Sequence, residues 1–440
     1  MRTPPAHRAT TAHLQAAYPF VTGTGRTANG PVLGRDLLGG AFCFDPWERY
    51  AAGELTGPNM VIVGQIGRGK SSFVKTFLWR EVAFGRRAWI IDPKGEYGRL
   101  AEACGTEAVR LEPGGTVRLN PLDLVGRNRG VGEEGKALPG WRPGAELLAS
   151  VASASLGRAL MPAERVAIDL AVRAAAGSPE PESASGSDPV TVGAVIASLL
   201  APTTASASEV RTDPAGLAAD GRQIALELRR LVEGDLAGMF DGPTTVDLDP
   251  GSSVVVLDLS ELYRSPALGI VMICATAWLH SIMTPADGVK RIVVVDEAWA
   301  VLHDLATARW LQASFKLARA LGVAHIAVLH RLSDLQAAGS AGSEQRQLAE
   351  GLLSDAETRI VFAQPPSECA SARDLLGLSS AEEELLPQLP RGVAVWKVGE
   401  RSDLVRHRPH GSEWELIDTD AAMFEIPREL GGAPTENCGT

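Results

Sequence analysis

A glycine-rich turn between an apolar run and a helical run is the strongest constraint on how this chain folds. Residues 60–63 (MVIV) have the pattern of a buried strand, residues 64–71 read GQIGRGKS, and residues 71–84 have a helical pattern. In this setting the motif G-x-x-x-x-G-K-[ST] lets successive backbone N–H groups surround a phosphate, and the helix adds the positive end of its dipole. The sequence therefore predicts a P-loop.

The residue types in this loop predict how Mg-ATP is bound. Lys70 is expected to reach the β- and γ-phosphate oxygens, and the Ser71 hydroxyl is expected to be a ligand of Mg²⁺. The predicted nucleotide-binding residues are Gly64, Gln65, Ile66, Gly67, Arg68, Gly69, Lys70, Ser71 and Ser72.

Two adjacent carboxylates supply the second signal. Residues 292–295 (IVVV) form an apolar run that leads directly into Asp296 and Glu297. Ligands of open α/β sheets bind at the carboxyl ends of the strands. Asp296 is therefore predicted to hold Mg²⁺ through water, and Glu297 to orient or deprotonate the attacking water. The alternative is that both acids only begin the next helix, where they interact with its dipole.

A third segment leaves its role open. Residues 92–97 (DPKGEY) follow the strand-like residues 88–91 and contain a Pro-x-Gly turn. Such a turn has a purely structural explanation. Within it, Glu96 is the next candidate for the base if Glu297 does not fill that role.

Short apolar runs alternate with helical patterns along most of the chain, which predicts an α/β fold with a mostly parallel sheet and helices on both faces. The strand candidates are residues 60–63, 88–91, 254–259, 292–295, 325–329, 359–363 and 393–398.

Between residues 124 and 250 the alternation of strands and helices stops. Helical segments there are separated by Ser/Pro-rich loops such as SPEPESASGSDP and APTTASASE. Helices are predicted over residues 145–155, 162–175, 192–200 and 221–236. The predicted division is an N-terminal extension (1–41), a first part of the RecA-like ATPase core (42–124), an inserted all-helical subdomain (125–250), a second part of the core (251–427) and a disordered tail (428–440).

Composition excludes several classes of protein. The chain has 440 residues, of which 45% are apolar, so it can form large cores and is not disordered over most of its length. A net charge of −11 argues against a monomer that coats duplex DNA. The five cysteines are scattered without metal-ligand spacing, which indicates neither zinc nor disulfides and favours a reducing cytoplasm.

Residues 267–283 (ALGIVMICATAWLHSIM) carry no formal charge and approach the length of the shortest membrane spans. They lie between two strand-like runs and contain His280 and small polar residues. We therefore expect a buried crossover helix and no transmembrane segment.

Taken in order, several segments resemble the HerA/FtsK class of ring ATPases, and more closely its type IV secretion and conjugation (VirB/TraC-type) traffic ATPases. The segments are GQIGRGKSS, IIDPKGEYGRL, RLNPLD, GMFDGPTTVDL, VVVDEAWAVL, FKLARALGVAHIAVLHRLSDL, LSDAETRIVFAQPPSE and LPRGVAVWKVG, within residues 42–398.

The chain departs from this family at two points. Where such ATPases place a γ-phosphate-sensing glutamine after the strand that follows the acid pair, this chain has His330. A neutral imidazole can donate one hydrogen bond, and a histidine without a role is the alternative. The family's large N-terminal domain is also expected to be absent, because few residues precede the P-loop.

The resemblance implies an ATP-hydrolysing motor, a homohexamer docked on membrane-associated secretion or conjugation components, with DNA as a further partner. It would be cytoplasmic, at the inner face of the membrane. The alternative is a HerA/FtsK-like DNA translocase in DNA processing, and a third is a nucleotide-dependent scaffold. The resemblance also implies an arginine that acts on the neighbouring subunit, with Arg359 preferred and Arg319 second.

Overall fold

One 11-stranded sheet organises the fold in the computed structural model, which describes residues 30–36, 40–123, 141–177, 189–246, 251–282, 288–303, 305–333 and 344–417. Its strands are β1 (Val32–Asp36), β2 (Ala41–Cys43), β3 (Met60–Val63), β4 (Arg87–Asp92), β5 (Val109–Arg110), β6 (Val254–Asp258), β7 (Arg291–Val295), β8 (Val323–Leu329), β9 (Thr358–Phe362), β10 (Val393–Val398) and β11 (Arg401–His407). Their order across the sheet is β2-β1-β11-β10-β9-β3-β8-β7-β4-β6-β5.

The described helices are α1 (Pro46–Ala51), α2 (Lys70–Ala83), α3 (Gly98–Ala103), α4 (Arg142–Leu156), α5 (Pro162–Ala176), α6 (Val192–Leu200), α7 (Thr204–Glu209), α8 (Pro214–Val232), α9 (Leu268–Ile282), α10 (Trp299–Leu302), α11 (Leu305–Leu321), α12 (Glu344–Asp355), α13 (Pro366–Leu376), α14 (Ser380–Leu385) and α15 (Trp414–Ile417).

The sheet has a parallel part and an antiparallel part. From β9 to β5 in the sheet order, every neighbouring pair runs parallel. Strands β10, β11, β1 and β2 extend the other side as antiparallel neighbours. The predicted α/β class with a mostly parallel sheet is confirmed, and each predicted strand coincides with an observed one within two residues.

The central strands are apolar throughout because helices cover both faces of the sheet. All four residues of β3 and all five of β7 are buried. Alternate residues enter different cores: Val61 and Val63 pack into one cluster, whereas Met60 and Ile62 pack into the other. This explains why the strands read as continuous apolar runs without a polar face.

The uncharged stretch at residues 267–283 forms a buried helix in its described part. Helix α9 is buried along most of its length, and Trp278 donates from its indole nitrogen to the Thr244 hydroxyl at 3.1 Å. None of the described helices is long and apolar enough to cross a membrane.

Helices α4 to α8 lie in sequence between β5 and β6, where the helical insertion was predicted. The pattern over residues 221–236 gave the wrong start and end, since α8 begins at Pro214, capped by the Asp213 carboxylate, and ends at Val232. The loop-like APTTASASE contains α7, whose N-terminus is capped by Thr203.

Whether residues 125–250 form a separate subdomain stays a prediction. Residues 124–140, 178–188 and the predicted tail 428–440 lie outside the described residues.

The predicted start of the core at residue 42 falls inside the sheet. Most of the predicted N-terminal extension lies outside the described residues, but β1 pairs antiparallel with β11, with Arg35 opposite Arg406. The sequence VLGRD has no alternation of apolar and polar residues. It becomes a strand because the hairpin β10–β11 offers it an open edge, which local pattern cannot reveal.

Candidate active site

The P-loop runs from the end of β3 to the start of α2 and is anchored on the ends of both neighbouring strands. The Gly64 N–H donates to the Leu329 carbonyl at 3.3 Å, and the Gln65 N–H donates to the Ala363 carbonyl at 3.0 Å. Gly67 and Gly69 have φ angles of +78° and +105°. These left-handed conformations suit glycine and turn the loop back onto the helix N-terminus.

Lys70 is folded against its own loop. It is 4% exposed, and its ammonium group donates to the Gly64 carbonyl and, at 3.2 Å, to the Gln65 carbonyl. Burial lowers the pKa of Lys70 to about 8, although the charges of Asp296 and Glu297 act in the opposite direction. Phosphate oxygens entering the loop would offer this ammonium stronger, charged acceptors than the two carbonyls.

Asp296 follows the strand β7 directly and has a buried carboxylate. Its Oδ2 accepts from the Tyr97 hydroxyl at 3.2 Å, and its Oδ1 accepts from the Glu297 N–H at 2.9 Å. Burial raises the pKa of Asp296 to about 6, and the charges of Glu297 and Asp92 add to that effect. A carboxylate crowded by others in a buried site fits a divalent cation, which together with the Ser71 hydroxyl would relieve the repulsion.

Glu297 is buried and bound by donors on both oxygens. Its Oε1 pairs with the Lys94 ammonium and with His330 Nε2 at 2.5 Å, and its Oε2 accepts from the Trp299 indole. Burial alone would raise the pKa of Glu297, but the contacts with His330 and Lys94 outweigh it and lower the pKa to about 2. Its backbone is left-handed, with φ of +53°. Such strain in a residue other than glycine is concentrated at functional sites.

Lys94 was not singled out by sequence reasoning, which left residues 92–97 open. The Asp92 carboxylate fixes this turn by accepting from the Lys94 N–H at 3.2 Å and the Tyr97 N–H at 2.9 Å. Gly95 takes the left-handed position of the turn, with φ of +69°. Because β4 is paired with β7, the turn lies beside the acid pair and its lysine reaches Glu297. The only signal in the sequence was a polar turn at a strand end.

A second lysine lies beneath the acids. Lys75, on α2, is fully buried, with its ammonium 3.9 Å from Glu96 Oε2 and above the Tyr97 ring. Burial lowers the pKa of Lys75, while the charges of Glu96, Asp92 and Asp296 act against that effect. It therefore supplies positive charge behind the candidate metal site.

His330 follows β8 and contacts both Glu297 and Lys94. Its Nε2 contacts Glu297 Oε1 and is 3.0 Å from the Lys94 ammonium. The structure thus brings His330, Glu297 and the P-loop strand to one edge of the sheet, but the sensor role of His330 stays a prediction.

The two candidate trans-acting arginines lie elsewhere. Arg359 is at the amino end of β9, opposite the edge where the P-loop lies, and it donates to the carbonyls of Ala356 and Leu376, each at 3.0 Å. These bonds fasten the end of α13 to β9. Arg319 belongs to α11, and its side chain lies outside the described part of the structure.

Gln364 was also missed by sequence reasoning. It is 2% exposed, it follows β9 on the other side of the P-loop strand, and within the described residues neither atom of its amide has a hydrogen-bond partner. The carbonyl of its neighbour Ala363 accepts from the Gln65 N–H, so Gln364 follows the strand end on which the loop is anchored.

A family model matches the part of the chain that contains the P-loop, and solved structures share the fold over most of the chain. Residues 54–127 match the family model described as "Helicase HerA, central domain". The structure of VirB4 of Thermoanaerobacter pseudethanolicus matches with a TM-score of 0.69 at 24% identity, covering 87% of this chain and 98% of that chain. No curated protein gives a significant sequence match.

Two structures of TrwB are also similar. The unbound bacterial conjugative coupling protein matches with a TM-score of 0.54 at 13% identity over 87% of this chain and 89% of that one. The plasmid coupling protein in complex with ADP and Mg²⁺ matches with a TM-score of 0.54 at 13% identity over 87% and 91%. The family model over residues 54–127 thus confirms the resemblance to the HerA/FtsK class, and the fold is that of P-loop NTPases, as in the VirB4 and TrwB structures.

The P-loop assignment predicts that Lys70→Ala weakens binding of Mg-ATP by at least about 100-fold, because two charge-assisted bonds to phosphate oxygens are lost. Isothermal titration of the purified variant measures this, and circular dichroism checks that the fold is retained. The matched control is Ile66→Ala in the same loop, because the Ile66 side chain is 71% exposed and contributes only its backbone N–H. If Lys70→Ala bound Mg-ATP as tightly as the wild type, the nucleotide would not bind at this loop.

Proposed function

We propose that this chain is an ATP-hydrolysing motor of a conjugative or type IV secretion system. The observation that carries the proposal is the sheet edge at which the P-loop lysine, the acids Asp296 and Glu297 and the turn at Lys94 converge. The fold likeness to VirB4, which extends over nearly all of that chain, supports it.

The chemistry assigned to the site is attack of water on the γ-phosphorus, with cleavage of the bond to the ADP oxygen. The loop N–H groups and Lys70 bind the phosphates. Glu297 orients the water and accepts its proton. Ser71 and Asp296 would hold Mg²⁺, which neutralises phosphate charge when bound.

The proposed biological role is movement of DNA or protein, or assembly of a pilus, at the inner face of the cell membrane. The match to the HerA central domain supports the alternative, a HerA/FtsK-like translocase that acts on duplex DNA. The net charge of −11 and the likeness to TrwB, a conjugative coupling protein, favour the first.

The effect of duplex DNA on the rate of ATP hydrolysis distinguishes these two roles. A translocase that works on DNA alone should hydrolyse ATP several-fold faster when duplex DNA is added to the purified protein. For a secretion motor we expect turnover to change less than about twofold, because docking components are absent. In the cell that encodes the chain, the Glu297→Gln variant should then abolish conjugative transfer. Strong stimulation by DNA together with normal transfer would support the translocase instead.

The assignment of the base predicts that Glu297→Gln binds Mg-ATP but hydrolyses it at least about 100-fold more slowly, a typical contribution of a general base. Phosphate release under saturating ATP measures the rate. Glu96→Gln is the matched control, since it removes an acid from the same edge of the sheet and should keep most of the activity. If Glu297→Gln turned over normally and Glu96→Gln did not, the base would be Glu96.

We also propose a homohexamer in which an arginine of one subunit completes the site of the next, worth on the order of a thousandfold in rate. Arg359 remains the first candidate and Arg319 the second. The contacts of Arg359 with Ala356 and Leu376 mean that its removal also has a structural cost.

Mixing variants distinguishes the two effects of Arg359. Glu297→Gln and Arg359→Ala rings should both be inactive, whereas rings formed by subunit exchange should regain activity, because some sites then combine an intact Glu297 with an intact Arg359. Melting temperatures report the structural cost separately. An assembled Arg359→Ala protein with full activity would move the role to Arg319, tested in the same way.

A further inference from the structure

The carboxylate of Glu297 is surrounded by donors that compete with its role as a base. Lys94 and His330 share Oε1, and the Trp299 indole occupies Oε2. A general base needs an acceptor position directed at the water whose proton it removes. In this arrangement both acceptor positions of Oε1 are engaged by the protein itself, so a donor has to leave before Oε1 can accept from water.

Lys94 is the donor best able to leave. Its side chain is 22% exposed, whereas that of Glu297 is fully buried, so the lysine approaches the acid from the solvent side. Its backbone is fixed by the Asp92 carboxylate, which leaves the flexible four-carbon stem as the moving part. The ammonium also lies 5.8 Å from the centre of the Tyr263 ring, a contact too weak to hold it in place.

The Lys94 ammonium reaches the strand end next to the P-loop. It is 3.0 Å from His330 Nε2, and the adjoining Leu329 carbonyl accepts from the Gly64 N–H at the start of the loop. A γ-phosphate bound by Lys70 would therefore enter within reach of Lys94. It carries more negative charge than one carboxylate and would compete with Glu297 for the ammonium.

We propose that Lys94 senses the γ-phosphate by exchanging partners, pairing with Glu297 before ATP binds and with the γ-phosphate afterwards. The Oε1 position that Lys94 leaves is then available to water only when a triphosphate is present. This inference rests on the proposed ATPase function. It assigns a role to the turn at residues 92–97 and explains why a buried, candidate catalytic carboxylate is paired with a partly exposed lysine.

The test compares ADP with the non-hydrolysable analogue ADPNP, both with Mg²⁺, by isothermal titration. ADP lacks the γ-phosphate, so Lys94→Met should change its affinity by less than about twofold. The affinity for ADPNP should fall about tenfold or more, the usual effect of one lost charge-assisted bond. Lys94→Arg, which keeps the charge, should recover most of this loss.

A double-mutant cycle with Glu297→Gln tests the exchange itself. In the wild type, binding of ADPNP has to break the Lys94–Glu297 ion pair, whereas in Glu297→Gln the lysine faces only a neutral amide and is held more weakly. ADPNP should therefore bind Glu297→Gln several-fold more tightly than the wild type, and Lys94→Met should cost more in the Glu297→Gln background. Without exchange, the two substitutions would have independent effects.

Lys290→Met is the matched control. Lys290 precedes β7 at the opposite edge of the sheet and contacts the Trp47 ring, so its loss should leave both affinities unchanged.

A Lys94→Met protein that loses affinity equally for ADP and ADPNP has lost only structure, and the inference is then wrong. If the wild type hydrolyses ATP but the ADP-to-ADPNP ratio is unaffected by Lys94→Met, the inference fails alone. Failure of the wild type to bind either nucleotide overturns the proposed function as well.

Discussion

The parallel alignment of β3, β8, β7 and β4 is the constraint on which the rest of the structure depends. In this order one strand, β8, separates the P-loop strand from the strand of the acid pair, and β4 with the turn at Lys94 lies next to that strand. Adjacent strands lie about 4.8 Å apart, so long side chains and loops from all four carboxyl ends can meet. The apolar strands, covered on both faces, hold this edge rigid while the loops that leave it carry the polar groups.

A concentration of buried charge follows from that alignment. Burial raises the pKa values of Asp92 and Asp296, each to about 6, and lowers that of Lys70 to about 8. The acids also act on one another, since the charge of Asp92 adds to the raised pKa of Asp296. The same two carboxylates favour the charged form of the buried Lys75. Pairs of groups whose pKa values are displaced in this way are common where charged substrates and metal ions bind.

The parts of this site that follow from sequence are those encoded by local spacing. The P-loop and Asp296–Glu297 each follow an apolar run directly, so their position at strand ends could be derived from the residue pattern alone. The contact of Lys94 with Glu297 could not, because it depends on β4 lying next to β7. The contact between the Trp299 indole and Glu297 could not be derived either. Glu297 has a left-handed backbone there, and no residue type at that position predicts this conformation. At the fold level, β1 was missed for the same reason, since its strand form depends on β11.

The residues that follow the two neighbours of the P-loop strand show the same dependence on the order of the strands. Strand β8 ends in His330, whose Nδ1 has no partner within the described residues, and β9 leads into Gln364, whose amide has none either. A glutamine after β8 would have offered its amide on the side of Glu297. This chain has an imidazole on that side and an amide on the other, which divides the hydrogen-bonding capacity between both neighbours of the P-loop strand.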